Sequence, residues 1–320
     1  MTTPAIKILA KAQPDTEIHF LTQPPCHQVL QYHPDISKII LYPSQNGFKE
    51  TLFLIKNLRK AHYSAVFDFQ GLPKTAILSW LIKAPIRVGF NRRGRRLFYS
   101  HALNAPENID YSSSQKASLL SALNIPANEN KIDFFISEKE RWVARQILQA
   151  LKQDDDKLLV SVSPVSRQPY KVWPADNFAQ ICDYLVETYQ AQILFLWGPG
   201  EYHFVEAVRK KMTQKSLPDY DIPTIAETVA LLEQVDLHIG NDNGPMHFAI
   251  AAEVPTIAIF GRPLLRNWTP PNSSKHLAIE HDPGCKENCV YPKCELECIR
   301  DLNLGGVKDL IDIQLNPQKR

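Results

Sequence analysis

The sequence predicts an α/β protein of two parallel-sheet domains, and three observations carry that prediction. Short β-rich runs alternate with helical stretches along nearly the whole chain. The alternation pauses at the polar run QDDDK (153–157) and restarts at LLVSVSP. The 320 residues also exceed the usual size of a single hydrophobic core. Domains spanning 1–153 and 154–320 follow.

In the first domain TPAIKILAKA carries apolar residues at helical spacing, with Thr3 placed to cap and Pro4 suited to the first turn. TEIHFLT, ISKIILY and SAVFDFQ read as strands, with the helices FKETLFLIKNLRKA and KTAILSWLIKA around the third. IRVGF is one more strand, followed by the loop NRRGRR, and the amphipathic helix EKERWVARQILQALK closes the domain. The second domain runs through the strand LLVSVSP, the helix NFAQICDYLVETY, the strand AQILFLWG, and the helices EYHFVEAVRKKM and IAETVALLEQV. The strand DLHIG, the helix GPMHFAIAAE and the strand TIAIFG complete it. The chain opens on a helix, whereas a doubly wound domain normally opens on a strand that lies mid-sheet. Either the first domain is rearranged or a first strand is lacking. Its absence would leave neighbouring strands with buried unpaired backbone groups, at ~1–3 kcal/mol each.

Composition narrows the function classes. The chain is 44% hydrophobic and 22% charged with a net charge of +2, so no bulk charge points to nucleic acid. No apolar run reaches the ~20 residues of a membrane span, and the N-terminus is too polar for a signal peptide, which favours the cytoplasm. Cys285, Cys289, Cys294 and Cys298 cluster with a spacing unlike the paired CxxC of zinc ribbons. Structural or free thiols are therefore expected there rather than zinc, and no metal is expected elsewhere.

Ligands of open parallel sheets gather at the carboxyl ends of the strands. Three segments put polar residues there. In SPVSRQPYKVWP, Ser163, Ser166, Arg167 and Lys171 lie in a loop entering a helix N-terminus, a setting that favours phosphate. The structural alternative is a capped loop anchored by Trp173. In LWGPGE, Gly198 and Gly200 permit close approach and Glu201 can accept from a ribose, although a plain strand-to-helix turn explains the glycines too. In GNDNGPMH, Asp242 and Asn243 can cap the following helix, Gly244 allows a tight turn, and His247 falls in the first turn, facing any anion bound there. The three loops together favour a ligand site over capping alone.

GNDNGPMHFAIAAEVPTIAIFGRP, SPVSRQPYKVWP and FDFQGLPKTAILSWLIKAPIRVGF closely resemble glycosyltransferase family 9, the ADP-heptose:lipopolysaccharide heptosyltransferases. The resemblance runs along essentially the whole chain, and DxGxxH combined with KxW is its specific part. It implies a GT-B fold, two Rossmann-like domains facing across a cleft, with the acceptor bound by the first and the nucleotide sugar by the second. The implied reaction is inverting transfer of heptose from ADP-heptose to the lipopolysaccharide inner core. Carried over by position, Lys171 holds the donor pyrophosphate and stabilises the leaving group, helped by Ser166 and Arg167. Glu201 binds the ribose, and Asp242, Asn243, Gly244 and His247 grip phosphate and sugar. No obligatory metal or other cofactor is implied, because Lys171 and oriented N–H groups offset the departing charge. Asp68, Gln70, Gly71 and Lys74 match the acceptor-side loop, and Arg87, Arg92, Arg93, Arg95 and Arg96 add positive charge suited to Kdo carboxylates and phosphates of a Kdo-lipid A-type acceptor. The same arginines suit anionic headgroups, giving an expected peripheral site on the inner face of the inner membrane.

The chain departs from the family where a first strand and a Gly-Asp pair, bearing the implied general base, would precede TTPAIKIL. The expectation is that these lie upstream of Met1, or that transfer by this chain is weak. A transferase using another nucleotide sugar, a non-catalytic nucleotide-sugar-binding protein and a zinc-dependent interaction module are the alternative readings.

Overall fold

The structure, a computed structural model, describes residues 1–43, 47–262, 264–285 and 288–316. Pro263 of the GRP segment and the Lys286–Glu287 pair of the cysteine segment lie outside the described residues. The chain divides into two compact units, 1–135 and 136–320.

The first unit contains α1 (Thr3–Ala12), β1 (His19–Thr22), β2 (Lys38–Leu41), α2 (Phe48–Lys60), β3 (Ala65–Asp68), α3 (Pro73–Ile82), β4 (Ile86–Phe90), β5 (His101–Leu103) and α4 (Ser112–Ala117). Pro4 lies in the first turn of α1 as its fixed φ allows, but Thr3 caps nothing; its Oγ1 accepts from the Asp133 N–H at 3.0 Å. All strand pairs are parallel, yet they form two sheets, β1-β2 and β3-β4-β5. Helices bridge the two on both faces. On one, α1 packs Ile6 and Leu9 toward Phe20 and Ile39, and Ala5 and Ile8 toward Phe67. On the other, Leu54, Leu58 and Leu78 cover Leu21, Ile40 and Val66. The two sheets thus form one layer between the same helices, with an interruption where they do not pair. His19 Nδ1 and the Tyr63 hydroxyl, 2.8 Å apart, bridge the interruption at one end.

The second unit contains α5 (Glu138–Leu151), β6 (Leu159–Ser163), α6 (Ala175–Tyr189), β7 (Gln192–Phe195), α7 (Tyr202–Arg209), α8 (Ile225–Leu232), β8 (Leu237–Asn241), α9 (Gly244–Ala251), β9 (Thr256–Phe260), β10 (His276–Glu280), α10 (Glu297–Arg300) and α11 (Leu304–Leu315). The helix α5, expected to close the first domain, packs instead against α8 in this unit, and Arg141 meets Glu233 at 2.9 Å. Ser137 begins α5 with a capping box to Glu140, and the unit boundary falls just before it. QDDDK therefore lies within the second unit, between α5 and β6.

The five strands run parallel in the order β10-β9-β8-β6-β7. The three central strands are buried at every residue, which their Val, Leu and Ile content permits with helices on both faces. From β6 the chain winds outward to β7, then returns across β6 to lay down β8, β9 and β10 in the opposite direction. The reversal puts a topological switch point between β6 and β8.

One buried group inside this sheet titrates. His238, fully buried in β8, has Nδ1 2.9 Å from Ser161 Oγ, and burial lowers its pKa to about 3. In the unfolded chain it titrates near 6.5, so between these values the unfolded state binds the extra proton. Its contribution is complete above about pH 6.5 and is lost as the pH falls toward 3. Urea unfolding at pH 7 and pH 5 should show a stability loss exceeding about 1.4 kcal/mol, the equivalent of one pKa unit. His238→Leu should have a smaller loss over the same interval.

Candidate functional site

The switch point assembles most of the residues singled out in the second half of the sequence. Ser163 ends β6 opposite Gly240 of β8. Gly240 permits that approach, since a Cβ there would lie 3.0 Å from the Ser163 carbonyl oxygen. The loops after β6 and β8 leave this pair in opposite directions and are tied together by two asparagines. Asn243 Nδ2 donates to Ser163 Oγ at 2.9 Å and to the Val165 carbonyl at 3.0 Å, while its Oδ1 caps α9 by accepting from Met246 N–H at 3.1 Å. Asn241, completely buried, donates to the Pro164 carbonyl at 2.9 Å and accepts from Trp173 N–H at 3.2 Å. The sequence analysis misses Asn241. Its signal is an amide side chain at the last residue of a fully buried strand.

These ties hold a turn of 3₁₀ helix at Pro169–Lys171 over the carboxyl end of the sheet. There Lys171 Nζ lies 2.6 Å from Asp242 Oδ2. Asp242 is 3% exposed and the Lys171 side chain 23%, so the ammonium reaches the surface while its counter-charge stays inside. Trp173, buried edge-on against Phe178 at 5.2 Å, anchors the far side of the turn. The third clamp is Gly261 after β9. A Cβ there would stand 2.0 Å from the Tyr170 carbonyl oxygen, and the Arg262 guanidinium lies 5.4 Å from the Tyr170 ring. Gly261→Ala should displace the Tyr170–Lys171 turn, lowering stability by about 1–3 kcal/mol. Thermal unfolding of the variant tests this directly.

At the same edge Gly244 is exposed at the start of α9, and His247 follows in the first turn, half-buried, its ring 6.1 Å from that of Trp268. Glu201 stands at the start of α7. One oxygen accepts from Gly198 N–H at 3.0 Å, and the other lies 3.6 Å from Nε of the exposed Arg167. Ser166 is buried, its Oγ accepting from Gln168 N–H at 3.3 Å. The arrangement therefore presents one ammonium, one guanidinium and a helix N-terminus, all suited to an anion. Asn243 and Ser166 have their polar atoms engaged by the scaffold.

In the first unit the loops after β3 and β4 are neighbours, with Asp68 opposite Gly89. Asp68 is buried and fully engaged. Oδ1 accepts from the Gln70 and Gly71 N–H groups at 3.1 and 2.9 Å, and Oδ2 from Thr75 Oγ1 at 2.8 Å and the Tyr99 hydroxyl at 2.7 Å. Burial, then this hydrogen bond, raises the Tyr99 pKa. Gly71 adopts φ +61°, and its carbonyl accepts from Arg95, which joins the two loops. Gln70, Lys74, Arg92 and Arg93 are exposed beside them; Lys74 Nζ lies 4.9 Å from the Tyr42 ring centre and Arg92 5.8 Å from that of Phe90. Arg87 points elsewhere, its guanidinium donating to the Phe98 and Ala84 carbonyls.

Among the described residues no group of His, Cys, Asp and Glu has the geometry to hold a metal ion, and no helix is long and apolar enough to cross a membrane.

A doubly wound sheet with cationic groups and a helix N-terminus at its switch point is the arrangement at which open α/β proteins bind ligands. Comparison with known proteins specifies it further. The family model described as glycosyltransferase family 9 (heptosyltransferase) matches residues 51–299. The chain is 28% identical over 286 residues to lipopolysaccharide heptosyltransferase 1 of Campylobacter coli, covering 84% of this chain and 82% of that protein. The crystal structure of a family 9 glycosyl transferase from Veillonella parvula superposes with a TM-score of 0.82 at 23% identity, covering 98% of this chain and 92% of that one. An Escherichia coli heptosyltransferase solved with ADP-2-deoxy-2-fluoro heptose gives 0.66 at 19% identity, over 97% and 94%. The chain belongs to glycosyltransferase family 9, and its fold is GT-B, built of two Rossmann-like domains.

Proposed function

We propose that the chain transfers heptose from ADP-heptose to the inner core of lipopolysaccharide with inversion, working peripherally at the inner face of the inner membrane. The lysine held by Asp242 at the β6/β8 switch point is the observation that carries the donor half of this reading. A family member of the same fold, bound to an ADP-heptose analogue, supports the choice of donor. The acceptor hydroxyl attacks the anomeric carbon as the bond to the ADP oxygen breaks on the opposite face, and a base takes the hydroxyl proton. Negative charge collects on the departing diphosphate. Lys171, Arg167 and the N-terminus of α9 meet it without an obligatory metal. Asp242 keeps the ammonium in place, Asn243 and Ser166 shape the loops, His247 flanks the sugar phosphate, and Glu201 takes the ribose hydroxyls. In the first unit, Gln70, Lys74, Arg92 and Arg93 face the anionic groups of the acceptor, on a loop pair fixed by Asp68, Gly71 and Arg95.

The test is transfer from ADP-heptose to a Kdo-lipid A acceptor by the purified chain, with UDP- and GDP-sugars as competing donors. Product from ADP-heptose alone supports the reading, and product from another donor refutes it. A second reading, nucleotide-sugar binding without transfer, is favoured by Asp68. It is the one carboxylate of the two acceptor-side loops, and four hydrogen bonds leave it no role as a base. ADP binding with no transfer from any donor would select this second reading.

A further inference from the structure

The face of the first unit made by α2, α3 and residues 95–98 is unusual in two respects at once. It exposes large apolar side chains in a group: Phe53 is 67% exposed, Trp80 52% and Leu97 84%, with Leu52 and Ile77 beside them. It is also strongly cationic. Its elements carry Lys49, Lys56, Arg59, Lys60, Lys74, Arg95 and Arg96, with the exposed Lys83 at the end of α3, against one acid, Glu50, in a chain whose net charge is only +2.

These residues share one surface. Leu54, Ile55 and Leu58 of α2 and Leu78 and Ile82 of α3 turn inward onto the strands. Helical spacing then places Phe53, Lys49, Lys56 and Lys60 on the outer side of α2, and Ile77 and Trp80 on that of α3. Arg59 Nε donates to the Leu81 carbonyl at 2.5 Å, fastening the two helix ends together. The Trp80 ring meets Phe98 edge-on at 6.4 Å, which continues the surface to Leu97 and to the exposed Arg93 and Arg96.

We propose that this face lies on an anionic lipid bilayer, with Phe53, Trp80 and Leu97 entering the headgroup boundary and the surrounding lysines and arginines resting on lipid phosphates. It rests on the proposed function for the membrane's identity, since the acceptor assigned there is lipid-borne. Interleaved cations and exposed Trp, Phe and Leu are the composition of an interfacial surface. A protein interface is depleted in lysine, unlike this one.

Vesicle flotation of the full chain tests the proposal, using phosphatidylcholine alone and phosphatidylethanolamine with phosphatidylglycerol. The chain should float with the anionic vesicles, not the neutral ones, and high salt should release it. Trp80→Ser with Leu97→Ser should weaken partitioning at least about tenfold. Lys56→Gln, Lys60→Gln and Lys83→Gln together, all at exposed positions, should do the same without touching the packed face. Unchanged flotation of both variants, or equal binding to neutral vesicles, overturns the proposal. So does failure to float combined with self-association that the Trp80/Leu97 variant abolishes, which makes the face a protein interface. Transfer to a detergent-dispersed acceptor by a chain that does not float would sink this proposal and leave the function standing. Flotation without ADP binding would do the reverse.

Discussion

Lys171→Met is expected to abolish most donor-dependent chemistry in a chain that still folds. The side chain places an ammonium at the switch point, and in the proposed reaction its loss removes the positive charge that faces the departing diphosphate. Removing one preorganised donor from such a site costs about 10²–10³ in kcat, and ADP affinity should fall along with it. The substitution also leaves Asp242 buried without its counter-charge, so some destabilisation accompanies the functional loss. The double variant Lys171→Met/Asp242→Asn separates these effects. Its melting temperature should return toward that of the parent, whereas ADP affinity measured by calorimetry should not. Recovery of binding in the double variant would show that Lys171 acts through packing rather than through charge.

Asn241→Ala is expected to produce a large loss of stability. The residue is completely buried and holds two backbone groups, the Pro164 carbonyl and the Trp173 N–H. Truncation leaves both without their partner and opens a small void at the end of β8, costing about 2–4 kcal/mol. Because those two groups flank the Lys171 turn on either side, ADP affinity should fall too, although Asn241 touches no ligand. Chemical denaturation gives the first quantity and calorimetry the second. A variant that loses stability but binds ADP as the parent does would show that the turn keeps its position without the asparagine.

Much of this architecture was legible in the residues. Every strand–helix alternation quoted from the sequence corresponds to an element, because each apolar run has the period of the structure it forms and is bounded by Gly, Pro or polar turns. β5 and β10 escape the sequence reading, as do the helices α4, α10 and α11. His101–Leu103 is too short for alternation to register, and HLAIE is only half-buried, as an edge strand is. The unit boundary was read at the polar linker, but the division depends on which core the helix α5 covers, and its amphipathic pattern does not name its partner.

The candidate site shows the same division. Motif spacing located Lys171, Asp242, Asn243 and Glu201 at strand ends, and strand order then put the loops after β6 and β8 side by side. What spacing could not supply was each side chain's partner. Asn243 is equally a cap or a ligand contact in sequence, and its hydrogen bonds to Ser163, Val165 and Met246 show its amide engaged by the scaffold. Asp68 resembles an acceptor contact until its four donors are counted.

A crystal structure of the chain with ADP tests the phosphate cradle most directly. The diphosphate should lie at the carboxyl ends of β6 and β8, with a phosphate oxygen at a hydrogen-bond distance of about 2.7–3.2 Å from Lys171 Nζ and beside the first turn of α9. A diphosphate bound away from Lys171 and α9 would contradict it, and so would ADP binding that Lys171→Met leaves unchanged in solution.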